Sequence, residues 1–322
     1  MSKQMNFQVT FPQSVRVVFG ITTIPERLHK GLLQKSLQSL LSQDLIDHVA
    51  AIVVNIPAVS MKGKPYDRQL AMDLKKLNPN KIFVNYGVND DGPITKLIPT
   101  LRYIDQYLGG KANSATDDIW SATDDIWVCL ADDDTVYSNN MLSNLLAQAQ
   151  LSDVAVGFAG RCGFMSLYVH DVQNRMEAIF LETFAGVAYK RGVFGPLPEF
   201  TQWLTTLPEN AIFVDDIVIG AWFSRQQKKL YVLPLGRRDG DMIKHDPSDT
   251  PELRNGNLLE RNIQVQRALQ KQGYFPDLTP KDPMGHVVMG AVDFAYGALS
   301  NVQKATNAFT DFWKQFAPPP KQ

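Results

Sequence analysis

Residues 128–137 (VCLADDDTVY) run an apolar stretch straight into three adjacent carboxylates, Asp132, Asp133 and Asp134. Three neighbouring acids repel one another, so a fold that holds them at a strand end needs a cation to offset that cost. Hard oxygen ligands select Mg2+ or Mn2+, and such an ion can bridge two phosphates and neutralise a departing diphosphate. The same acids would also serve as a solvated turn capping a helix that begins near Asn139. A second acidic pair, Asp215 and Asp216, opens residues 215–225 (DDIVIGAWFSR), where carboxylates suit the partial positive charge of a helix N-terminus. Other chemistries lack their signatures: there is no GxxxxGK[ST] phosphate loop, no GxGxxG after the first apolar run and no GxSxG elbow.

These acids need elements to hold them. Residues 15–21, 48–56, 81–86 and 126–131 are short apolar runs that predict buried strands. Between them, Leu33, Leu37, Leu40 and Leu41 recur at helical spacing, with Lys35, Gln38 and Ser39 on the opposite face. Helices are also predicted over 67–77 and 95–108. Alternating strand and helix predict an α/β fold, a mostly parallel sheet between helical layers. Ligands of such sheets gather at the carboxyl ends of the strands, which makes residues 22–27, 86–96 and 132–134 prospective neighbours. In the second half, residues 154–158, 177–189 and 231–235 carry strand-like runs and 215–225 reads as a helix. Residues 236–256 are polar and too long for a passive connection, as in a functional loop.

Lys and Arg number 32 against 33 Asp and Glu, so a net charge of −1 gives no overall field to recruit nucleic acid or an anionic membrane. Two cysteines, Cys129 and Cys162, are too few for a disulfide scaffold and fit a reducing compartment. Residues 1–11 lack a signal-peptide core, and no segment reaches the ~18 consecutive apolar residues of a membrane span. A soluble cytoplasmic protein is therefore expected. The heptapeptide SATDDIW stands twice in tandem, at 114–120 and 121–127. Its period is too short for a solenoid, so it reads as a lengthened loop whose acids precede the strand, at its wrong end for the site. One α/β domain is expected over residues 1–275, with a donor-binding half near 15–150 and an acceptor and catalytic half near 151–275. A helical extension with a Pro-rich end follows over 276–322. Its apolar stripe from Val288 to Phe316 suits packing on the parent domain, a homo-oligomer contact or a peripheral membrane contact.

The segments GITTIPER (20–27), DGPITK (91–96), the strand before Asp132, ETFAGVAYKR (182–191) and Asp215-Asp216 persuade by order and spacing. Over residues 15–270 the chain resembles the GT-A superfamily of nucleotide-sugar glycosyltransferases, and within it the family 2-like inverting members. That resemblance implies a Rossmann-like GT-A fold and a metal-dependent enzyme. The donor would be a nucleotide sugar, a UDP-sugar foremost, and the acceptor a hydroxyl on a glycan, a protein or a small molecule. Thr22 and Thr23 would meet the base or ribose and Arg27 the phosphate; Arg27 would equally suit the exposed start of a helix. Asp91, Gly92 and Lys96 would clamp the donor, although Asp91 could simply cap a helix that Pro93 begins. Asp132 to Asp134 would be the DxD element. Asp132 or Asp133 would contact ribose or sugar, and Asp134 would ligate Mn2+ or Mg2+ with Asp132 and His245. His245 would otherwise be a plain surface residue. Asp216, paired with Asp215, would take the acceptor proton, unless the pair only caps its helix. Glu182 would serve as an acceptor-site acid or a partner for Arg191, itself an acceptor-site candidate. A nucleotidyltransferase, and a non-catalytic sugar-binding or assembly module, are the competing functions.

Overall fold

The computed structural model describes residues 15–108, 126–149, 153–162, 167–170, 172–234, 243–245 and 258–275, all within one compact unit, Met1–Pro276. Most of the tandem repeat, most of the 236–256 loop and the C-terminal extension lie outside the described residues. In chain order the first half is β1 (Arg16–Thr22), α1 (Pro25–His29), α2 (Leu32–Leu41), β2 (Val49–Pro57), α3 (Arg68–Asp73), β3 (Ile82–Val88), α4 (Ile98–Tyr107) and β4 (Ile126–Ala131). Next come β5 (Thr135–Tyr137), α5 (Met141–Gln148), β6 (Ala155–Gly157), β7 (Ala159–Cys162), β8 (Leu167–His170), β9 (Met176–Ala178), β10 (Phe180–Leu181) and β11 (Val187–Lys190). The chain continues through α6 (Leu197–Leu204), α7 (Asp215–Arg225), β12 (Leu230–Val232), β13 (Ile243–His245) and α8 (Leu258–Lys271).

Eight strands form the central sheet in the order β3-β2-β1-β4-β11-β6-β12-β9. β3, β2, β1 and β4 run parallel, β11 lies antiparallel between β4 and β6, β12 is parallel to β6, and β9 is an antiparallel edge. The expected α/β class and mainly parallel sheet flanked by helices are therefore what the structure shows. β1 reads as a continuous apolar run because both of its faces are covered. Val17, Phe19 and Ile21 pack with Leu33, Leu37 and Leu40 of α2 and Leu142 and Leu145 of α5. On the other face, Gly20 abuts the Lys96 carbonyl and the Thr100 side chain of α4. Among the described residues no helix is long and apolar enough to cross a membrane.

Two local expectations need correction. The helix foreseen over 95–108 starts only at Ile98: Gly92–Lys96 is a 3-10 turn, and Pro99, which has no N–H to leave unpaired, fits the first turn of α4. Ser39, placed with the polar face of α2, is buried, with its hydroxyl turned to the backbone of β5.

Gly220 lies in the middle of α7, where alanine would ordinarily add about 1 kcal/mol. Here a Cβ would stand 2.7 Å from the Ile179 carbonyl oxygen and 3.1 Å from Phe180 Cα, because α7 crosses the backbone around β10 closely. Gly220→Ala should therefore lower the unfolding free energy by about 1–3 kcal/mol, the usual cost of overpacking, as measured by urea denaturation.

Candidate functional site

From β1 the chain winds outward through β2 and β3, then returns to β4 on the other side of β1. The winding thus reverses between β1 and β4, and ligands of open α/β sheets bind at such a point. Ile21 is in register with Ala131, so Thr22, Thr23 and Asp132 leave the sheet side by side. A cleft of about 630 Å³ opens there, lined among others by Thr22, Thr23, Arg27, Lys96, Asp132, Asp133, Asp134, Asp215 and Asp216.

The acidic segment is held from below by polar residues of α2 and the turn after it. Ser36 Oγ donates to the Thr135 carbonyl at 2.6 Å, Tyr137 N–H donates to Ser39 Oγ at 3.1 Å, and Gln43 Nε2 donates to the Ser138 carbonyl at 2.7 Å. Asp132 N–H donates to the Tyr137 hydroxyl at 2.9 Å, which closes the turn on itself. These bonds explain why Ser39 is buried, since its hydroxyl satisfies a backbone N–H that water cannot reach.

Two cations of the chain divide the three acids. Arg27 reaches Asp133 Oδ1 at 2.7 Å with Nη1 and Asp134 Oδ2 at 2.9 Å with Nη2. Lys96, 4% exposed, donates to Asp132 Oδ1 at 2.6 Å and to Thr183 Oγ1 at 2.9 Å, and its Nζ lies 2.9 Å from Asp215 Oδ2. Burial pulls the ammonium pKa down, but Asp132, Asp215 and Asp216 outweigh it and hold the group well above its ordinary value. For Asp133 burial wins instead: despite Arg27 and a hydrogen bond from Thr23, its pKa is pushed up to about 6. Asp216 is held well above the carboxylate range by burial first, and then by the charges of Asp215 and Glu182. Its Oδ1 accepts from Thr183 N–H at 3.0 Å. Among the described residues no three His, Cys, Asp or Glu side chains gather as a metal cluster, since Arg27 and Lys96 stand between the acids.

Several predicted site residues sit elsewhere or do something else. The Thr22 hydroxyl donates across to the Asn55 carbonyl at 2.8 Å, and that of Thr23 to Asp133. Asp91 is absent from the cleft wall; Asp90 lines it, accepting from Gly92 N–H at 3.0 Å and Met61 N–H at 2.7 Å. Gly92 has φ +70°, and a Cβ there would lie 2.6 Å from the Ile212 carbonyl oxygen, so the close approach it permits is to the chain's own turn at Glu209–Phe213. Arg191, offered as an acceptor-site candidate, is fully buried and outside the cleft wall: it forks onto Asp105 at 2.8 and 2.6 Å and donates to the Gly195 carbonyl. Glu182 pairs with Arg161 at 2.9 Å rather than with Arg191. The backbone of His245, in β13, is in register with Thr135, one residue beyond Asp134. Sequence reasoning missed Tyr66, whose hydroxyl donates to the Thr23 carbonyl at 2.8 Å, and Thr183. It also missed Phe213 and Arg261 on the cleft wall. Thr183 lies within a quoted segment, but its partners, Lys96 for its hydroxyl and Asp216 for its N–H, are far away in sequence.

No protein-family model and no curated protein matches the sequence. Among solved structures the chain is similar to the 4-diphosphocytidyl-2C-methyl-D-erythritolsynthase from Anaerococcus prevotii, at 12% identity and TM-score 0.42, covering 80% of this chain and 99% of that one. It is also similar to the inositol-1-phosphate CTP transferase from T. maritima, at 11% identity and TM-score 0.40, covering 81% and 98%. The glycosyltransferase GlyE of Streptococcus pneumoniae follows at 10% identity and TM-score 0.28, covering 82% and 65%. Likeness at this level assigns neither family nor activity.

A carboxyl whose native pKa is raised keeps its proton at pH values where the unfolded chain has lost it. The Asp216 contribution to stability therefore falls as pH rises from about 4 to the native pKa, and then levels. Asp216→Asn retains the acceptor for Thr183 N–H and removes that titration. Urea unfolding across pH should show the variant gaining on the wild type through this window; a difference constant with pH would show that burial of Asp216 is not what governs it.

Proposed function

We propose that the chain is a metal-dependent glycosyltransferase that moves a sugar from a nucleoside-diphosphate donor, a UDP-sugar foremost, to a hydroxyl acceptor with inversion. One observation carries this reading: at the switch point of the sheet, the acids that follow β4 and the acidic pair that opens α7 share one cleft, joined through Lys96. Donor-side acids and a base of raised proton affinity within a single cleft are what transfer to a hydroxyl requires. Nucleotidyl transfer to a phosphate needs no base for a hydroxyl proton, and the half-buried Asp216, with its raised proton affinity, therefore favours the sugar reaction.

Asp216 removes the proton as the acceptor oxygen bonds to the anomeric carbon. The bond from that carbon to the diphosphate breaks, and the nucleoside diphosphate leaves with the electron pair. Asp215 and Glu182 raise the proton affinity of Asp216, and Thr183 N–H orients its carboxylate. Arg27 and Lys96 act as positioning residues that hold the acidic segment, and can turn toward phosphate when the donor enters. The donor set fits a hard divalent ion in type: Asp134 and Asp132 offer carboxylate oxygens beside the cleft, and His245 is carried by the strand paired next to them. When bound, Mn2+ or Mg2+ would take up the charge of the departing diphosphate.

Incubation with Mn2+ and a panel of nucleotide sugars, with and without hydroxyl acceptors, tests this. Wild type should release nucleoside diphosphate, and Asp134→Ala should lose both that release and the Mn2+-dependent rise in melting temperature. Asp216→Asn should bind donor within a few-fold of wild type while losing about 10²–10⁴-fold in kcat. Pyrophosphate released from nucleoside triphosphate and sugar phosphate would establish nucleotidyl transfer instead.

A further inference from the structure

Of the cations lining the cleft, Arg27 and Lys96 are held by the acids at the strand end and by Asp215, Lys64 pairs with Glu26, and Lys62 is exposed. Arg261, on the first turns of α8, differs. Its guanidinium lies 5.2 Å over the Phe213 ring, half-buried, and among the described residues no carboxylate pairs with it. Its Nε is buried with no hydrogen-bond partner among the described residues. Desolvation, with no acid to oppose it, lowers its pKa. An arginine taken partly out of water without an acid or an acceptor carries a cost, and a residue on a cleft wall recovers that cost only when an anion arrives. The ring fixes the plane of the fork, which suits two oxygens of one phosphate or carboxylate.

Its place in the cleft indicates which substrate supplies the anion. Phe213 ends the turn that leads through Val214 into Asp215 and Asp216. Arg261 thus stands over the turn that leads into the pair assigned to the acceptor, whereas Arg27 stands among the acids assigned to the donor. We propose that Arg261, stacked on Phe213, is an anion-binding residue on the acceptor side of the cleft, and that the acceptor bears a phosphate or carboxylate close to its reactive hydroxyl. This rests on the reading of the cleft as a glycosyl-transfer site.

The test follows the melting temperature of the full chain, with and without saturating UDP or GDP, as inorganic phosphate or acetate is titrated at constant ionic strength. With nucleotide bound, wild type should still be stabilised by at least one of the two anions. Arg261→Gln should weaken that apparent affinity by about tenfold or more, roughly 1.4 kcal/mol, and Arg261→Lys by less. Both variants should fold, because the change removes a desolvated charge that no acid compensates. An equal anion response in wild type and Arg261→Gln, or none in wild type, overturns the proposal. So does a loss in Arg261→Gln confined to UDP or GDP binding, which would turn the guanidinium to the donor. If neither nucleotide binds the wild type, the transferase reading falls, while the comparison of phosphate and acetate between wild type and Arg261→Gln still decides Arg261. Which of the two anions responds separates a phosphorylated acceptor from a sugar acid.

Discussion

A single ammonium group makes the rest of the site possible. Lys96 reaches the end of β4 through Asp132, the turn at Thr183–Ala185 through the Thr183 hydroxyl, and the start of α7 through Asp215. Taking a lysine out of water is costly, and the attraction of surrounding acids offsets that cost only when they are close and properly aimed. Here they are close enough for the charge to persist. The same ion answers the opposite problem, since acids drawn from two halves of the chain would repel one another across the cleft without it. Attraction and repulsion are thus settled by one residue on a short 3-10 turn, and the end of β4 is tied electrostatically to the start of α7, with which it makes no strand pairing.

Around that link the protein sets polar groups in places where a helix usually carries apolar ones. The buried face of α2 contains Ser36 and Ser39, and Gln43 follows it, all directed at the backbone beyond the acids. Backbone groups of a short strand packed under a helix cannot reach water, so each must find a partner within the protein. The result is that the carboxylates between β4 and β5 are held through the backbone of β5. Arg27 completes the arrangement from above, spanning neighbouring acids with a fork that a lysine could not supply.

Much of the fold was readable because strands buried on both faces leave unbroken apolar runs, as at residues 17–21 and 126–131, and because leucines at helical spacing announce α2. The acids were readable from adjacency alone. What escaped was whatever depended on a distant partner. Ser39 looks like a solvent-facing position in α2 until β5, whose backbone it serves, is set beneath it. Asp90 and Asp91 are indistinguishable by type, and a turn too short to show periodicity decides which one meets the cleft. Arg191 lies beside Glu182 in a suggestive segment, yet its carboxylate comes from Asp105 in α4, 86 positions away. Arg261 resembles any solvated arginine of an amphipathic helix, and what sets it apart is its stacking on Phe213 and the lack of a paired carboxylate among the described residues.

Gly20 contributes no functional group to the cleft, and its neighbours in β1 are ordinary core residues. Yet it faces the carbonyl of the lysine on which the charge balance turns, with Thr100 at its side, leaving no room for a methyl. The spacing between sheet and turn is therefore calibrated by an atom that is not there. Any survey ranking positions by chemical capability would pass over this glycine, whereas one ranking them by tolerance would group it with the acids. Sensitivity to substitution in this architecture thus marks the distance gauges as strongly as the reacting groups, and the two kinds of position must be told apart by chemistry rather than by how badly they accept change.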